Sequence, residues 1–277
     1  MAKTKALSRK AMDGWDITIC IVTFRPDIAE VHATCTALVS ALSAIPHLTA
    51  KLFIIDNSPP DALAKGLPAA LSGCEVEIIA GHGNIGFGAA NNQVLGRTGT
   101  YHLVLNPDVE MDKSALAEAM AYMSATPDCG LISPQATWPD GRRQYLAKRF
   151  PEPFDLLIRG FAPLWLRKLF EARLSRYEMR RETDAEKPFA APIVSGCFMF
   201  FRGNLFEKLR GFDPRYFLYF EDFDLSLRAS ECTKVIHLPA VKIVHGGGNA
   251  ASKGFWHIRQ FLRSSWVFYS SHGLRES

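Results

Sequence analysis

Long hydrophobic runs are missing from this chain. A membrane-spanning helix needs roughly 18 to 20 apolar residues, whereas the longest candidate, Ile193 to Phe201, has nine and contains Ser195 and Gly196. The chain is not expected to cross a bilayer. Paired cysteine motifs are missing too. The six cysteines (Cys20, Cys35, Cys74, Cys129, Cys197, Cys232) include no C-x-x-C, so reduced thiols in a cytoplasmic protein are expected, acting as small hydrophobes. The opening MAKTKALSRKAMDGWD lacks the apolar core of a secretory leader, and residues 1–15 read as a flexible start. Neither sign of charge dominates: 32 Lys and Arg stand against 28 Asp and Glu, too even a balance to make nucleic acid an expected partner.

What is there is an ordinary globular composition, 48% hydrophobic and 22% charged over 277 residues, enough for a real core. Ile17 to Phe24 (ITICIVTF) is a β-branched run closed by Arg25-Pro26-Asp27, the pattern of a strand buried on both faces. Val31, Cys35, Leu38, Val39 and Leu42 then recur at helical spacing. Further strands are expected at Leu52–Ile55, ending in Asp56-Asn57-Ser58-Pro59, at Val76–Ala80, and at Leu103–Leu105, ending in Asn106-Pro107-Asp108. Helices are expected at Ala89–Leu95 and Ser114–Met123. This alternation predicts an α/β architecture with a largely parallel sheet.

Ligands of such sheets bind beyond the carboxyl ends of the strands, where Asp27, Asp56 and Asp108 fall. Each is also open to a plainer reading as a turn or helix-capping residue. Gly81-His82-Gly83-Asn84-Ile85-Gly86 fits G-x-G-x-x-G, with Asp108 about 20 residues on, as a NAD-dependent enzyme would require. Against that reading, the fingerprint belongs to the first strand-to-helix turn, and two strand-helix units precede it here.

From Arg142 to Arg181 eleven basic residues face four acidic ones, a local charge of +7. Phe154, Leu157, Ile158, Phe161, Trp165, Leu169 and Phe170 interleave with them. The segment is either a basic amphipathic membrane-surface element or a helical insertion whose apolar stripe packs on the core. Beyond it, the aromatic run Tyr216 to Phe220 precedes Glu221-Asp222-Phe223-Asp224. In a helix starting near Glu221, Asp224 and Arg228 form an i, i+4 ion pair and leave Glu221 and Asp222 at the N-terminal end. Val235–Val244 is a strand region broken by Pro239, followed by His245-Gly246-Gly247-Gly248. Last, Phe255, Ile258, Leu262, Trp266 and Tyr269 share one face of a C-terminal amphipathic helix that either docks on the domain or rests on a membrane.

In order, ITICIVTFRPD, LFIIDNS, GNIGFGAANN, LVLNPDV, SGCFMFFR, GFDPRYFLYFEDFDLSLR and IVHGGG resemble the family 2 glycosyltransferases, and within them the rhamnosyltransferase-like branch. The resemblance implies a GT-A fold, a mixed, mostly parallel sheet flanked by helices, over residues 16–250. The basic insertion then occupies about 142–187 and the amphipathic helix lies within 251–277. It also implies inverting sugar transfer from a nucleotide-diphosphate sugar, with dTDP-L-rhamnose the favoured donor, and a divalent metal, Mg2+ or Mn2+. The implied acceptor is a bacterial cell-surface glycan or lipid-linked glycan, met at the cytoplasmic face of the inner membrane. A UDP-sugar transferase of the same fold, such as a galactofuranosyltransferase, and a noncatalytic sugar- or lipid-binding module are the alternatives.

The residue types suit that chemistry. A carboxylate at a strand end accepts the ring N–H of uracil or thymine, the role of Asp56. Thr23, Arg25, Asn84 and Gly86 complete the nucleotide cradle, with Arg25 a phosphate contact and Gly86 a point of close backbone approach. A metal bridging the phosphates stabilises charge on the departing diphosphate. Asp108, the carboxylate kept from a D-x-D motif that here reads Asn106-Pro107-Asp108, and His245 are its implied ligands. By the resemblance, Asp222 is the base that takes the acceptor's proton, with Glu221, Asp224 and Arg228 in support; the neighbouring aromatics would raise its pKa.

Overall fold

The computed structural model describes residues 14–62, 64–247 and 254–273, the side chains of Phe161 and Phe255 excepted. The expected flexible start up to residue 13, Gly248 of the glycine triplet, and the Phe161 and Phe255 side chains therefore lie outside the described residues. The first half of the chain forms β1 (Ile17–Thr23), α1 (Ile28–Ser43), β2 (Ala50–Asp56), β3 (Glu75–Ala80), α2 (Phe87–Asn91), β4 (Tyr101–Leu105), β5 (Val109–Met111), α3 (Ala115–Ala125) and β6 (Cys129–Thr137). An insertion follows, with β7 (Arg143–Gln144), β8 (Ala147–Lys148), α4 (Pro153–Phe161), α5 (Leu164–Leu169), α6 (Glu171–Tyr177), α7 (Arg180–Asp184), β9 (Phe189–Ala190) and β10 (Ile193–Val194). The chain closes with β11 (Phe198–Arg202), α8 (Gly203–Lys208), α9 (Glu221–Ser230), β12 (Lys234–His245) and α10 (Gly254–His272).

The main sheet runs β3-β2-β1-β4-β11-β6-β12-β5. Strands β3, β2, β1 and β4 are mutually parallel, β11 lies antiparallel between β4 and β6, and β12 is again parallel to β6. The carboxyl ends of β1, β2, β4, β6 and β12 therefore share one edge of the sheet, together with the start of β11. All seven residues of β1 are buried, as its unbroken apolar run predicts for a strand covered on both faces. At the outer edge β3 is half exposed, and Lys51 of β2 bridges Glu75 and Glu77 across it at 2.9 and 3.0 Å, charges that discourage further strand addition.

Strands β5 to β9 are absent from the sequence reading. Strand β6 carries Gly130, Ser133, Pro134 and Gln135, which hide its periodicity. Strand β5 has three residues and leaves β4 to pair antiparallel with β12 at the far edge. The helix expected at Ala89–Leu95 is instead α2 followed by a 3-10 turn over Asn92–Val94. Pro239 does not break β12: it falls where the pairing with β6 shifts register between Leu238 and Lys242, a bulge that spares the ladder a missing N–H.

Most arginines of the insertion are paired within it. Arg143 pairs with Asp184 and Glu186, Arg149 with Glu182, Arg173 with Glu152 and Asp155, and Arg180 with Glu171 and Glu178. Over 140–187 there are twelve basic and eight acidic residues, so the counter-charges sat just beyond the window. Leu156, Ile158, Leu174 and Tyr177 are buried, while Leu157, Leu164, Trp165 and Leu169 are exposed.

Helix α10 likewise has two faces. Phe268 is fully buried against Phe150 and Phe220, Ser264 donates to the Leu218 carbonyl, and His272 meets Asp224 at 2.8 Å. Ile258, Leu262 and Trp266, spaced by four, face outward. The helix docks on the domain, and it keeps an exposed apolar stripe. Among the described residues no helix is long and apolar enough to cross a membrane.

Candidate active site

Strands β1 and β2 are in register through Thr23 and Asp56, so these two residues end side by side. Asp56 is buried. Its Oδ1 accepts from Thr23 Oγ1 at 3.3 Å and the Ser58 amide at 3.0 Å, and its Oδ2 from the Ala64 amide at 2.7 Å. Burial alone would push this carboxyl up, but the hydrogen bonds from Ser58, Ala64 and Thr23 outweigh it and hold the group below the usual carboxylate range. A carboxylate has about four acceptor positions, so these three leave one for a base N–H. Thr23 is fully buried and spends its hydroxyl on Asp56; it positions that carboxylate.

Asn57 and Ser58, which the sequence reading took only as a turn, wire this corner together. Ser58 Oγ accepts the Arg25 amide at 2.9 Å, holding Arg25 in the left-handed region at φ 47°, and Asn57 Nδ2 donates to the Gly86 carbonyl at 3.1 Å. Asn84 is exposed and its Oδ1 accepts the Gly86 amide at 3.0 Å. Gly86 sits at φ 88°, and a Cβ there would overlap the Phe217 carbonyl oxygen. Its close backbone approach is therefore to the aromatic run before α9. Asp27 takes the plainer role: it caps α1 by accepting the Ala29 amide at 2.8 Å.

Because β5 leaves β4 for the far edge, Asp108 lies where the chain crosses the sheet, and the pairing of His245 with Val109 brings the end of β12 beside it. Asp108 Oδ2 and His245 Nε2 are 3.5 Å apart. Gly247 makes the approach possible, since a Cβ there would overlap Asp108 Oδ2. Gln144, brought to the end of β6 by β7, donates through Nε2 to the His245 carbonyl at 2.7 Å and presents Oε1 to His245 Nδ1 at 3.1 Å. That orientation puts the imidazole hydrogen on Nδ1 and turns the Nε2 lone pair toward Asp108. Burial pushes His245 down despite the Asp108 charge, favouring the neutral ring. One carboxylate and one neutral imidazole facing a shared point fit a divalent ion whose other positions come from diphosphate oxygens and water. Among the described residues no group of three or more His, Cys, Asp or Glu gathers to hold a metal unaided.

The third part is the start of α9. Tyr219 and Phe220, at φ 71° and 66°, are consecutive left-handed residues without being glycine. Such strain costs on the order of 1–3 kcal/mol each and persists where packing dictates it; here Phe220 is clamped by Phe223, Phe261 and Phe268. The turn delivers Glu221 and Asp222 to a cavity of about 480 Å³ walled by α4, α5, α6 and α10. Asp222 Oδ2 accepts the Gly196 amide at 2.9 Å and Oδ1 the Phe223 amide at 3.0 Å, while Glu221 Oε2 is buried without a partner. Burial pushes Asp222 up against those two hydrogen bonds; burial, then the Asp222 charge, pushes Glu221 up to about 8. Glu221 therefore favours its protonated form at neutral pH.

Asp224 and Arg228 form the expected i, i+4 pair at 2.7 Å. Arg228 also donates to the carbonyls of Leu209 and Gly211, so the two support the turn before the aromatic run. Neither lines the cavity. The Gly196-Cys197 peptide joins the two halves of the site: Gly196 donates to Asp222, and the Cys197 carbonyl accepts the Asn106 amide at 2.8 Å, two residues from Asp108.

The family model described as glycosyl transferase family 2 matches residues 18–210. The chain belongs to that family. This family 2 glycosyltransferase is 24% identical over 248 residues to the N-acetylglucosaminyl-diphospho-decaprenol L-rhamnosyltransferase of Mycobacterium tuberculosis, covering 83% of this chain and 77% of the relative. It is 27% identical over 176 residues to the rhamnosyltransferase WbbL of Escherichia coli, covering 59% and 60%. In fold it is similar to GalNAc-T7, solved with UDP, GalNAc and Mn2+, at a TM-score of 0.60 and 14% identity, spanning 84% of this chain and 43% of that one. It is also similar to the Pyrobaculum calidifontis mannosyltransferase PcManGT, solved with GDP-Man and Mn2+, at a TM-score of 0.58 and 16% identity, spanning 96% and 66%. The expected GT-A fold is thus the observed one, and the dinucleotide reading of Gly81 to Gly86 falls away.

Proposed function

We propose that this glycosyltransferase moves L-rhamnose from dTDP-L-rhamnose, with inversion and with a divalent metal, onto a lipid-linked glycan at the cytoplasmic face of a membrane. The observation that carries the reaction chemistry is the pairing of buried Glu221 with half-buried Asp222 in a cavity that the Gly196-Cys197 dipeptide links to the Asn106–Asp108 turn. The rhamnosyl group is supported by the names of the mycobacterial and E. coli relatives, the lipid-linked acceptor by the mycobacterial name, and the metal by the Mn2+ in the solved neighbours.

Donor binding falls to the strand ends. Asp56 reads the base, the Asn84–Gly86 turn and Arg25 flank the nucleotide, and Asp108 and His245 hold the metal. When bound, the ion supplies positive charge against which the nucleoside diphosphate leaves. Asp222 takes the proton from the acceptor hydroxyl as its oxygen bonds to the anomeric carbon and the carbon–phosphate oxygen bond breaks on the opposite face. Neutral Glu221 beside it adds no second negative charge to repel the base's own.

Membrane association rests on two exposed stripes, Leu157, Leu164, Trp165 and Leu169 on α4 and α5, and Ile258, Leu262 and Trp266 on α10. The direct test is a panel of nucleotide sugars with Mg2+ or Mn2+ against chelator. dTDP-L-rhamnose should raise the melting temperature in a metal-dependent way and yield a rhamnosylated lipid product. A larger shift and turnover with a UDP-sugar would replace the donor, and binding without turnover on any acceptor would make the chain a binding module.

A further inference from the structure

We propose that Arg159 and Arg167 form an anion subsite in the acceptor cavity, and that it holds the phosphate ester joining the acceptor sugar to its lipid. The inference deepens the acceptor role given to that cavity above and rests on that reading. Both arginines line the cavity with Glu221 and Asp222. Arg159 is held at one edge, its Nε donating to Glu178 at 2.9 Å, and Arg167 likewise, its Nε donating to the Ala162 carbonyl at 2.8 Å. Their terminal amino groups have no acceptor among the described residues, although each is an oriented pair of donors suited to a phosphate.

Of the protein's own carboxylates among the described residues, only Glu178 answers them, at Nε of Arg159. Glu178 already serves Lys148, Arg159 and Arg180, and Arg180 is further paired with Glu171. The cavity is lined by Arg159, Arg167 and Arg180 against Glu178 and Asp222, with Glu221 neutral, and this excess of one positive charge suits an anion.

That anion is the acceptor's and not the donor's. The donor diphosphate is assigned to Asp108 and His245, and neither lines this cavity. Ile258 does line it and also belongs to the outward stripe of α10, while Arg167 belongs to α5, which carries exposed Leu164, Trp165 and Leu169. A ligand with a sugar hydroxyl at Asp222 and a phosphate on the two arginines would leave between apolar surfaces, as a lipid chain requires.

The probe is a short-chain prenyl diphosphate, titrated calorimetrically into the intact protein with chelator present and no nucleotide. The wild type and Asp222→Asn should bind it alike. Arg167→Gln, which leaves the Glu178 network untouched, should weaken binding about 10-fold, and the Arg159→Gln/Arg167→Gln pair by about 100-fold, in line with charge-assisted hydrogen bonds. Binding to anionic vesicles free of diphosphate lipid should not change. No binding by the wild type, or equal binding by the double variant, overturns the proposal. A parallel loss of vesicle binding also overturns it, since the arginines would then be headgroup contacts. Failure of the rhamnosyl or base assignment is read separately, as absent turnover with prenyl diphosphate binding intact.

Discussion

The two halves of the site use carboxylates in opposite ways. At the donor edge Asp56 is surrounded by donors, two amides and a hydroxyl, and its pKa is lowered. At the acceptor cavity Asp222 has two amides and Glu221 has an unpartnered oxygen, and both are raised. Burial acts in the same direction on all three: at Asp56 the hydrogen bonds to the charged form outweigh it, at Asp222 they do not, and at Glu221 the Asp222 charge adds to it. One carboxylate is thereby kept as a permanent acceptor, while the other pair is poised to exchange a proton.

The comparison breaks most sharply at Asp222. Asp222→Asn keeps the shape but cannot take a proton, so turnover should fall by about 10² to 10⁴-fold with nucleotide binding unchanged. A larger loss in Glu221→Gln than in Asp222→Asn would move the base by one residue. Next in size is the metal pair. Asp108→Ala or His245→Ala should remove the metal-dependent part of nucleotide-diphosphate binding, and Gln144→Leu, which frees the imidazole to rotate, should weaken Mn2+ affinity by about 10 to 100-fold. Mn2+ titration followed by electron paramagnetic resonance checks all three.

Stability against pH sharpens the contrast. Glu221 has a folded pKa of about 8 against an ordinary 4.5, so the folded state keeps a proton that the unfolded chain has released. Its contribution is full below about 4.5 and declines as pH rises to about 8. Asp56 runs the other way, stabilising above the ordinary carboxylate pKa and losing that contribution as pH falls through its lowered folded value. Melting curves should show that Glu221→Gln removes the decline between about pH 4.5 and pH 8. Asp56→Asn should cost about 1–3 kcal/mol at neutral pH and remove the acid-side loss. The smallest effect is at the membrane face. Leu262→Ser with Trp266→Ser should lower partition onto anionic vesicles several-fold, and salt should matter little because most insertion arginines are already paired. Flotation that depends strongly on salt would reassign binding to the basic residues.

Much of the donor edge was legible because strand ends and turns are local features. Asp56, Asp108 and the Gly81–Gly86 turn could be placed from runs of apolar residues and the breaks between them, and the Asp224–Arg228 pair from helical spacing alone. The short β5 gave no periodic signal, and the paired charges of the insertion were concealed by where its window was drawn. Gln144 carried no marker at all and Gly196 showed only within SGCFMFFR, since each acts on a residue far away in the chain.

The sequence by itself determined the alternation of strand and helix, the family, and which residue types stand at the strand ends, because these depend on spacings of a few residues. Only the tertiary structure decided which of them meet. The departure of β5 from β4 toward β12 sets His245 beside Asp108, the packing of Phe268 and Phe220 forces two left-handed residues that aim Glu221 and Asp222, and the helices of the insertion close the cavity over them. Those contacts join residues tens to more than a hundred positions apart, and their geometry, burial and hydrogen-bond counts exist only once the core is packed.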